Sequence, residues 1–287
     1  MAIAGGLPAN DGIAPEAKTT GSTMARHEGR ALFGNDARGY DAARLGYPAE
    51  LYDAVEGRTG GLVGQTVFEV GPGTGLVTRE LLRRGVDRLV AIEPDVTLAR
   101  ELPSFAGGGD ALVVVNAAFE DAALDASSFH AGCAAASFHW LDIAPSLAKV
   151  HAALVPGGTW AMWWNSYRNP HQGDAFAFAA MPLLAGIQFP PMQTIDGHGS
   201  LDDVFWRTTL ARAGFGRIDH VVIRQERTVS ATAIRALYAT YSFIRRLEDD
   251  ARARLLDAIE TLAEREFGGN VPNVVLTSSY ISSAEPL

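Results

Sequence analysis

Residues 67–75 read Val-Phe-Glu-Val-Gly-Pro-Gly-Thr-Gly: an apolar run broken by Glu69, then glycines at alternate positions, Gly71, Gly73 and Gly75. A helical pattern follows over Leu76–Arg84, and a second apolar run, Arg88–Ile92, ends in Glu93. Glycine lets the main chain turn sharply and come close to a ligand. An acid at the end of the second strand of such a unit can accept hydrogen bonds from both ribose hydroxyls. Strand, glycine turn, helix, strand and acid, in that order, are the parts of a site for a nucleotide-like cofactor.

Spacing narrows the choice of cofactor. A dinucleotide fingerprint needs glycine at the first, third and sixth positions of the turn, and here the sixth position is Leu76. Glu69 stands two residues before the first glycine. An acid there can hold an ammonium group and would be unwelcome beside a pyrophosphate. Both features favour S-adenosylmethionine, whose amino-acid moiety is zwitterionic and carries no phosphate, over NAD(P).

At this point the chain resembles a known family, the class I S-adenosylmethionine-dependent methyltransferases, in its small-molecule group. Glu69-Val-Gly-Pro-Gly-Thr-Gly75 is similar to the first motif of that family and Ala91-Ile-Glu-Pro-Asp95 to its ribose-binding motif. Asn116-Ala-Ala-Phe-Glu-Asp121 falls where the adenine-side loop falls, and Ala136-Ser-Phe-His-Trp-Leu-Asp142 is similar to the end of the fourth strand. Leu154-Val-Pro-Gly-Gly-Thr159 is similar to the turn before the fifth strand, and Tyr40-Asp-Ala-Ala-Arg-Leu-Gly-Tyr-Pro48 to a segment that covers the cofactor. The likeness spans roughly residues 33–281, and motifs in the right order are far more specific than one motif alone.

The resemblance implies a set of cofactor-binding residues. Glu69, Gly71, Gly73 and Gly75 would face the amino-acid and ribose portions, and Glu93 and Pro94 the ribose. Ala118, Phe119 and Glu120 would lie beside the adenine edge, with Ser137 and Phe138 at the end of the fourth strand. Tyr40 and Arg44 would fold over the cofactor, Arg44 pairing with the methionine carboxylate through two parallel bonds. Each has a plainer reading: Asp95 and Glu93 suit a helix entry, and Tyr40 and Arg44 suit a surface helix.

His139 follows the fourth strand, where the resemblance implies the methyl group points, and is the candidate catalytic residue. An unperturbed imidazole titrates near pH ~6.5 and can accept a proton from a phenol, alcohol or amine; it can equally orient the acceptor. Trp140, Trp164, Tyr167, Phe178, Tyr238 and Tyr241 are candidates for an apolar acceptor pocket; ordinary core packing is the alternative. The sequence has no His/Cys/Asp/Glu cluster with metal-ligand spacing, no nucleophile elbow and no Gly-Lys-Ser/Thr phosphate loop, so no metal is expected.

The elements that must position these residues alternate. Strand candidates fall at Thr66–Val70, Arg88–Ile92, Ala111–Asn116, Gly132–Ser137 and Thr159–Trp164, with helical segments at Leu76–Arg84, Val96–Leu102 and Ala144–Leu154. Strands apolar on both faces, alternating with helices, predict a parallel sheet covered on two sides, and right-handed crossovers make it doubly wound. Helix Leu201–Ala213, strand Ile218–Gln225, two amphipathic helices and strand Val271–Ile281 follow. The resemblance makes the last two strands an antiparallel hairpin at one edge. The expected fold is therefore α/β: a Rossmann-like, doubly wound, seven-stranded, mainly parallel sheet with a helical cap. Residues 1–25 read as a disordered leader, 26–229 as the core with cofactor-covering helices at its start, 230–268 as a helical cap insertion, and 269–287 as the final strand and tail.

Composition bounds the partners. The 287 residues are 47% hydrophobic, with a formal net charge of −9 and one cysteine, Cys133. No basic cluster interleaves with aromatics, so nucleic acid is disfavoured, and one cysteine rules out an internal disulfide. No run is long and apolar enough for a membrane span and no secretory signal is visible, so a cytoplasmic monomer or homodimer is expected. The reading as a whole is methyl transfer to an oxygen, less readily a nitrogen, of a small molecule or a carboxylate, which could belong to a peptide. The alternatives are a catalytically silent methyltransferase-like binding protein and an NAD(P)-dependent oxidoreductase.

Overall fold

The computed structural model describes residues 37–107, 109–190, 192–194 and 197–286. The leader expected over 1–25 lies outside the described residues. The chain opens with helices α1 (Ala37–Ala43) and α2 (Ala49–Thr59). Alternation then begins: β1 (Thr66–Val70), α3 (Leu76–Arg83), β2 (Arg88–Ile92), α4 (Val96–Ala106), β3 (Leu112–Val115), β4 (Phe129–Ala135), α5 (Ile143–Ala153) and β5 (Leu154–Ser166). A short helix α6 (Ala175–Ala180) and a small hairpin, β6 (Gln193–Thr194) and β7 (Gly197–His198), lead to α7 (Asp203–Arg212) and the long β8 (Phe215–Ser230). Helices α8 (Ala231–Ala239), α9 (Ser242–Arg245) and α10 (Asp249–Phe267) then cap the molecule before β9 (Asn270–Ala284).

The main sheet has seven strands in the order β3-β2-β1-β4-β5-β9-β8. The first five are mutually parallel, and β9 runs antiparallel to both β5 and β8. This is the expected doubly wound, Rossmann-like sheet. Its order reverses between β1 and β4, the switch point where such sheets open to ligands at their carboxyl ends.

Side chains alternate across each strand, and both faces are buried. On one face Phe68, Val70, Trp160, Met162 and Trp164 pack with Leu147 and Val150 of α5 and with Trp206 and Leu210 of α7. On the other, Val67, Ala131, Ala161 and Trp163 pack with Leu51 and Val55 of α2 and with Val77 and Leu81 of α3. A third cluster, with Phe176, Ile234, Tyr238, Ile259 and Val275, joins the cap helices to the ends of β8 and β9. No helix among the described residues is long and apolar enough to cross a membrane.

Gly132 sits opposite Phe68 in the β1–β4 register. A β-carbon there would overlap the Phe68 ring, which itself packs against Phe129 and Trp160. Gly132→Ala should therefore cost at least about 1–3 kcal/mol, the usual range for overpacking a core. Phe68→Leu in the same chain should recover part of that loss, because contacting sites do not add. Urea unfolding of the two single variants and the double variant checks this; purely additive losses would show that the ring and the glycine are not coupled.

Candidate functional site

The turn after β1 forms the floor of a cleft lined by Tyr40, Glu69, Gly71, Gly73, Glu93, Phe119, Ser137 and Trp140, among others. The cleft encloses about 990 Å³ including its open mouth, within the range of small-molecule sites. The three glycines have positive φ, 66°, 59° and 80° for Gly71, Gly73 and Gly75, a region that L side chains enter only at a cost. Their surroundings differ. A β-carbon on Gly71 would stand 2.7 Å from Cβ of Ser137, so the turn lies hard against the end of β4. One on Gly73 would meet nothing within 4 Å among the described residues, leaving its backbone open to the cleft. One on Gly75 would meet Leu102 at 2.8 Å; this residue is absent from the cleft lining and allows α3 to pack on α4.

Two buried carboxyls mark the cleft. Glu93 follows β2, with Oε2 accepting from the Gly73 amide and Oε1 from the Asp95 amide, both at 3.0 Å. Asp95 is the N-cap of α4, accepting from the amides of Thr97 and Leu98 at 2.8 and 3.0 Å. The helix-entry role thus belongs to Asp95, and Glu93 is left to face the cleft with Pro94. Glu69 Oε2 accepts from Thr78 Oγ1 at 2.7 Å, and Oε1 has no partner among the described residues. Burial pushes the Glu69 carboxyl up to about 7; Thr78 opposes this and the charge of Glu93 adds to it. Burial likewise raises Glu93.

Phe119, buried and stacked on Phe68, also lines the cleft. Lys149 of α5 fixes its loop by donating to the carbonyls of Phe119 and Glu120 at 2.6 and 3.0 Å. Ala118 and Glu120 do not line the cleft, and the Glu120 side chain faces outward. Ser137 lines the cleft. Phe138 is fully buried against Trp160 and belongs to the core. Tyr40 reaches the cleft from α1, and neighbouring Asp41 ties that helix to the glycine turn through Thr74 Oγ1 and Arg79.

A second cavity adjoins the first, and Tyr40, Ala136 and Trp140 line both. Ala136 has φ 51°, unusual for a residue with a β-carbon, and stands where the two spaces meet. The second cavity also holds Arg44, His139, Trp164, Tyr167, Arg168, His198 and Tyr241. Arg44 therefore lies here and not in the glycine cleft. Its Nε donates to Thr240 Oγ1 at 2.9 Å, and Tyr40, Tyr167 and Tyr241 surround its guanidinium at 4.8–5.1 Å. His139 Nδ1 accepts from Trp164 Nε1 at 3.1 Å, and His198 Nδ1 accepts from the Ser200 amide at 3.0 Å. Burial, then the charge of His198, holds His139 well below its ordinary value; burial, then Arg168 and Arg44, lowers His198 to about 3. The Tyr241 hydroxyl is buried and has no hydrogen-bond partner among the described residues.

Two expected pocket residues fall elsewhere. Phe178 is 60% exposed on the outer face of α6, because Phe176, two residues earlier, takes the inward position and a helix turns about 200° over that interval. Tyr238 is buried against Phe176 in the cap cluster and lines neither cavity. Arg168, His198, Gln193 and Lys149 were not singled out from the sequence. Only Arg168 had a local signal, a charged residue directly after the aromatic-rich fifth strand.

Glu69 has a measurable consequence. Its carboxyl holds a proton to about pH 7 in the folded protein and only to about pH 4.3 in an unfolded chain. The stability this contributes is complete below the unfolded value and is lost as pH rises through about 7. The ligand-free parent should thus lose on the order of 2–3 kcal/mol between pH 5 and 8, and Glu69→Gln should flatten that decline. Melting curves across this range, with no decline in the parent, would show that Glu69 is ionised throughout.

Residues 68–162 match the methyltransferase domain family. An uncharacterized methyltransferase of Mycobacterium tuberculosis is 27% identical over 233 residues, 76% of this chain and 90% of the relative. One from Schizosaccharomyces pombe is 21% identical over 264 residues, 89% and 98% of the two chains. Among solved structures, the YcgJ protein of Bacillus subtilis superposes with a TM-score of 0.54 at 11% identity, covering 83% of this chain and 99% of that one. Phosphoethanolamine N-methyltransferase 2 of Haemonchus contortus, solved with phosphomonomethylethanolamine and S-adenosylhomocysteine, gives 0.52 at 12% identity, covering 88% and 58%. These distant structures share the fold. The domain match, the sheet order and the glycine turn together make the chain similar to the class I S-adenosylmethionine-dependent methyltransferases.

Proposed function

We propose that this enzyme methylates an oxygen of a small anionic acceptor, a carboxylate, held in the cavity that adjoins the glycine cleft. The observation that carries this reading is Arg44. Its guanidinium lines the cavity, is held by Thr240 and three tyrosine rings, and pairs with no carboxylate among the described residues. A permanently charged group so placed invites an anion. The two imidazoles and the Tyr241 hydroxyl, which has no hydrogen-bond partner among the described residues, enrich the lining in donors.

The glycine cleft fits S-adenosylmethionine in this reading. Gly73 leaves room for close backbone approach. Glu93 faces the position of a ribose, and Glu69, with its free Oε1, can receive an ammonium group and ionise as it does so. Phe119 offers a flat apolar surface to the adenine. When bound, the cofactor supplies an electrophilic methyl on a sulfonium. The chain's residues orient the acceptor oxygen towards the junction at Tyr40, Ala136 and Trp140. Well-aligned reacting atoms can lower a barrier by about 7–11 kcal/mol, and a carboxylate is already ionised at neutral pH.

Mass spectrometry of a panel of carboxylic acids, phenols and amines incubated with cofactor tests the acceptor class. The expected products are base-labile methyl esters; methylated amines alone would overturn the reading. Arg44→Met should raise KM for the acceptor at least tenfold, about 1.4 kcal/mol, with S-adenosylhomocysteine affinity unchanged. Gly73→Val should do the reverse, weakening S-adenosylhomocysteine at least tenfold. If Arg44→Met weakened S-adenosylhomocysteine and spared KM, Arg44 would belong to the cofactor.

A further inference from the structure

We infer that Trp164 is a positioning residue: it locks His139 as a hydrogen-bond donor towards the acceptor, so that methyl transfer proceeds without an imidazole base. The inference rests on the reading that the second cavity takes the acceptor.

The argument is one of proton bookkeeping. An indole nitrogen carries a hydrogen and no available lone pair, so it only donates. Trp164 Nε1 points at His139 Nδ1 at 3.1 Å, so Nδ1 must present its lone pair. A neutral imidazole has one N–H; with Nδ1 bare, that hydrogen sits on Nε2. The other tautomer would set two N–H groups against each other in a buried site. Trp164 has little freedom to yield, because it is buried and packs on Trp206 at 5.3 Å and beside His198 at 6.2 Å.

His198 is fixed in the same way from another element. The Ser200 amide donates to its Nδ1, so His198 also carries its hydrogen on Nε2. Both Nε2 atoms lack a partner among the described residues, and both rings line the cavity. The charged and titratable groups around them are Arg44, Arg168, Tyr40, Tyr167 and Tyr241. Burial above all, then His198 acting on His139 and Arg168 and Arg44 acting on His198, lowers both rings and favours their neutral forms. The cavity then meets its ligand with imidazole N–H groups and the guanidiniums of Arg44 and Arg168, and with no imidazole lone pair.

A phenol or alcohol would find no base here. A carboxylate needs none: one of its oxygens forms the bond to the methyl carbon, the electron pair of the carbon–sulfur bond stays with sulfur, and no proton changes hands. The imidazole N–H of His139 would hold the acceptor in place.

Long-range proton–nitrogen NMR of histidine-labelled full-length protein reads the tautomers directly, whatever the acceptor is. The expected result is His139 and His198 as neutral Nε2–H tautomers from pH 5.5 to 8, and a shift of His139 towards mixed tautomers in Trp164→Phe. An Nδ1–H or doubly protonated His139 in the parent would overturn the lock. With a methylated acceptor in hand, single-turnover rates should be flat from pH 6 to 9. His139→Gln, which keeps an N–H donor, should stay within about threefold of the parent kcat, while His139→Ala and Trp164→Phe should raise KM about tenfold. A rate that climbs with pH through one ionisation, together with a hundredfold loss of kcat in His139→Gln, would make His139 a base. If no carboxylate in the panel is methylated, the acceptor reading fails and the NMR result still decides the tautomer.

Discussion

The site depends on one close approach. At the reversal of strand order the chain leaving β1 must turn immediately beside the chain leaving β4, and the backbones pass with Gly71 against Ser137, closer than any β-carbon allows. Everything near the site is hung from that contact. The turn runs on into α3, the Ser137 segment into His139 and Trp140, and the two spaces open on either side. A bulkier residue at either point would move both walls together. Sheets of this topology bind ligands at the switch point because only there do neighbouring connections run off to opposite faces and leave a crevice.

Charge is divided between the two spaces. Carboxyls line the cleft, with Glu69 and Glu93 buried and raised by the same desolvation. Cations and N–H donors line the adjoining cavity, with Arg44, Arg168, His139 and His198. Tyr40, Ala136 and Trp140 form the boundary. In the proposed reading this division sorts the reactants: a cationic cofactor is drawn to one side, an anionic acceptor to the other, and the reacting atoms meet where the fields meet. In that same reading an anionic acceptor needs no protein base.

Much of the fold is legible in the sequence, and the reasons are physical. Parallel strands buried on both faces read as apolar runs, so β1 and β2 stand where the pattern places them. The edge pair is harder. β8 runs from Phe215 to Ser230 with burial alternating along most of its length, and its charged outward residues, such as Arg224 and Glu226, hide its extent. Three glycines at alternate positions look alike in a sequence, yet one abuts Ser137, one opens to the cleft and one packs on Leu102. Phe176 and Phe178 look equally fit for a pocket until the helix turns one of them outward. The donors of the second cavity are the least legible, since Arg44 precedes α2, Arg168 follows β5 and His198 ends the small hairpin. Only the folded chain brings them together.

The central claim is that the glycine cleft is a site for a zwitterionic nucleoside and that Glu69 receives its ammonium group. Calorimetric titration of the full chain with S-adenosylhomocysteine between pH 6 and 8, beside a parallel titration with NADH, tests it most directly. The account predicts one site for S-adenosylhomocysteine, an affinity that strengthens as pH rises through about 7, where Glu69 loses its proton, and no heat from NADH. Binding of NADH with indifference to S-adenosylhomocysteine would contradict it, and an affinity level across this range would remove Glu69 from the ammonium.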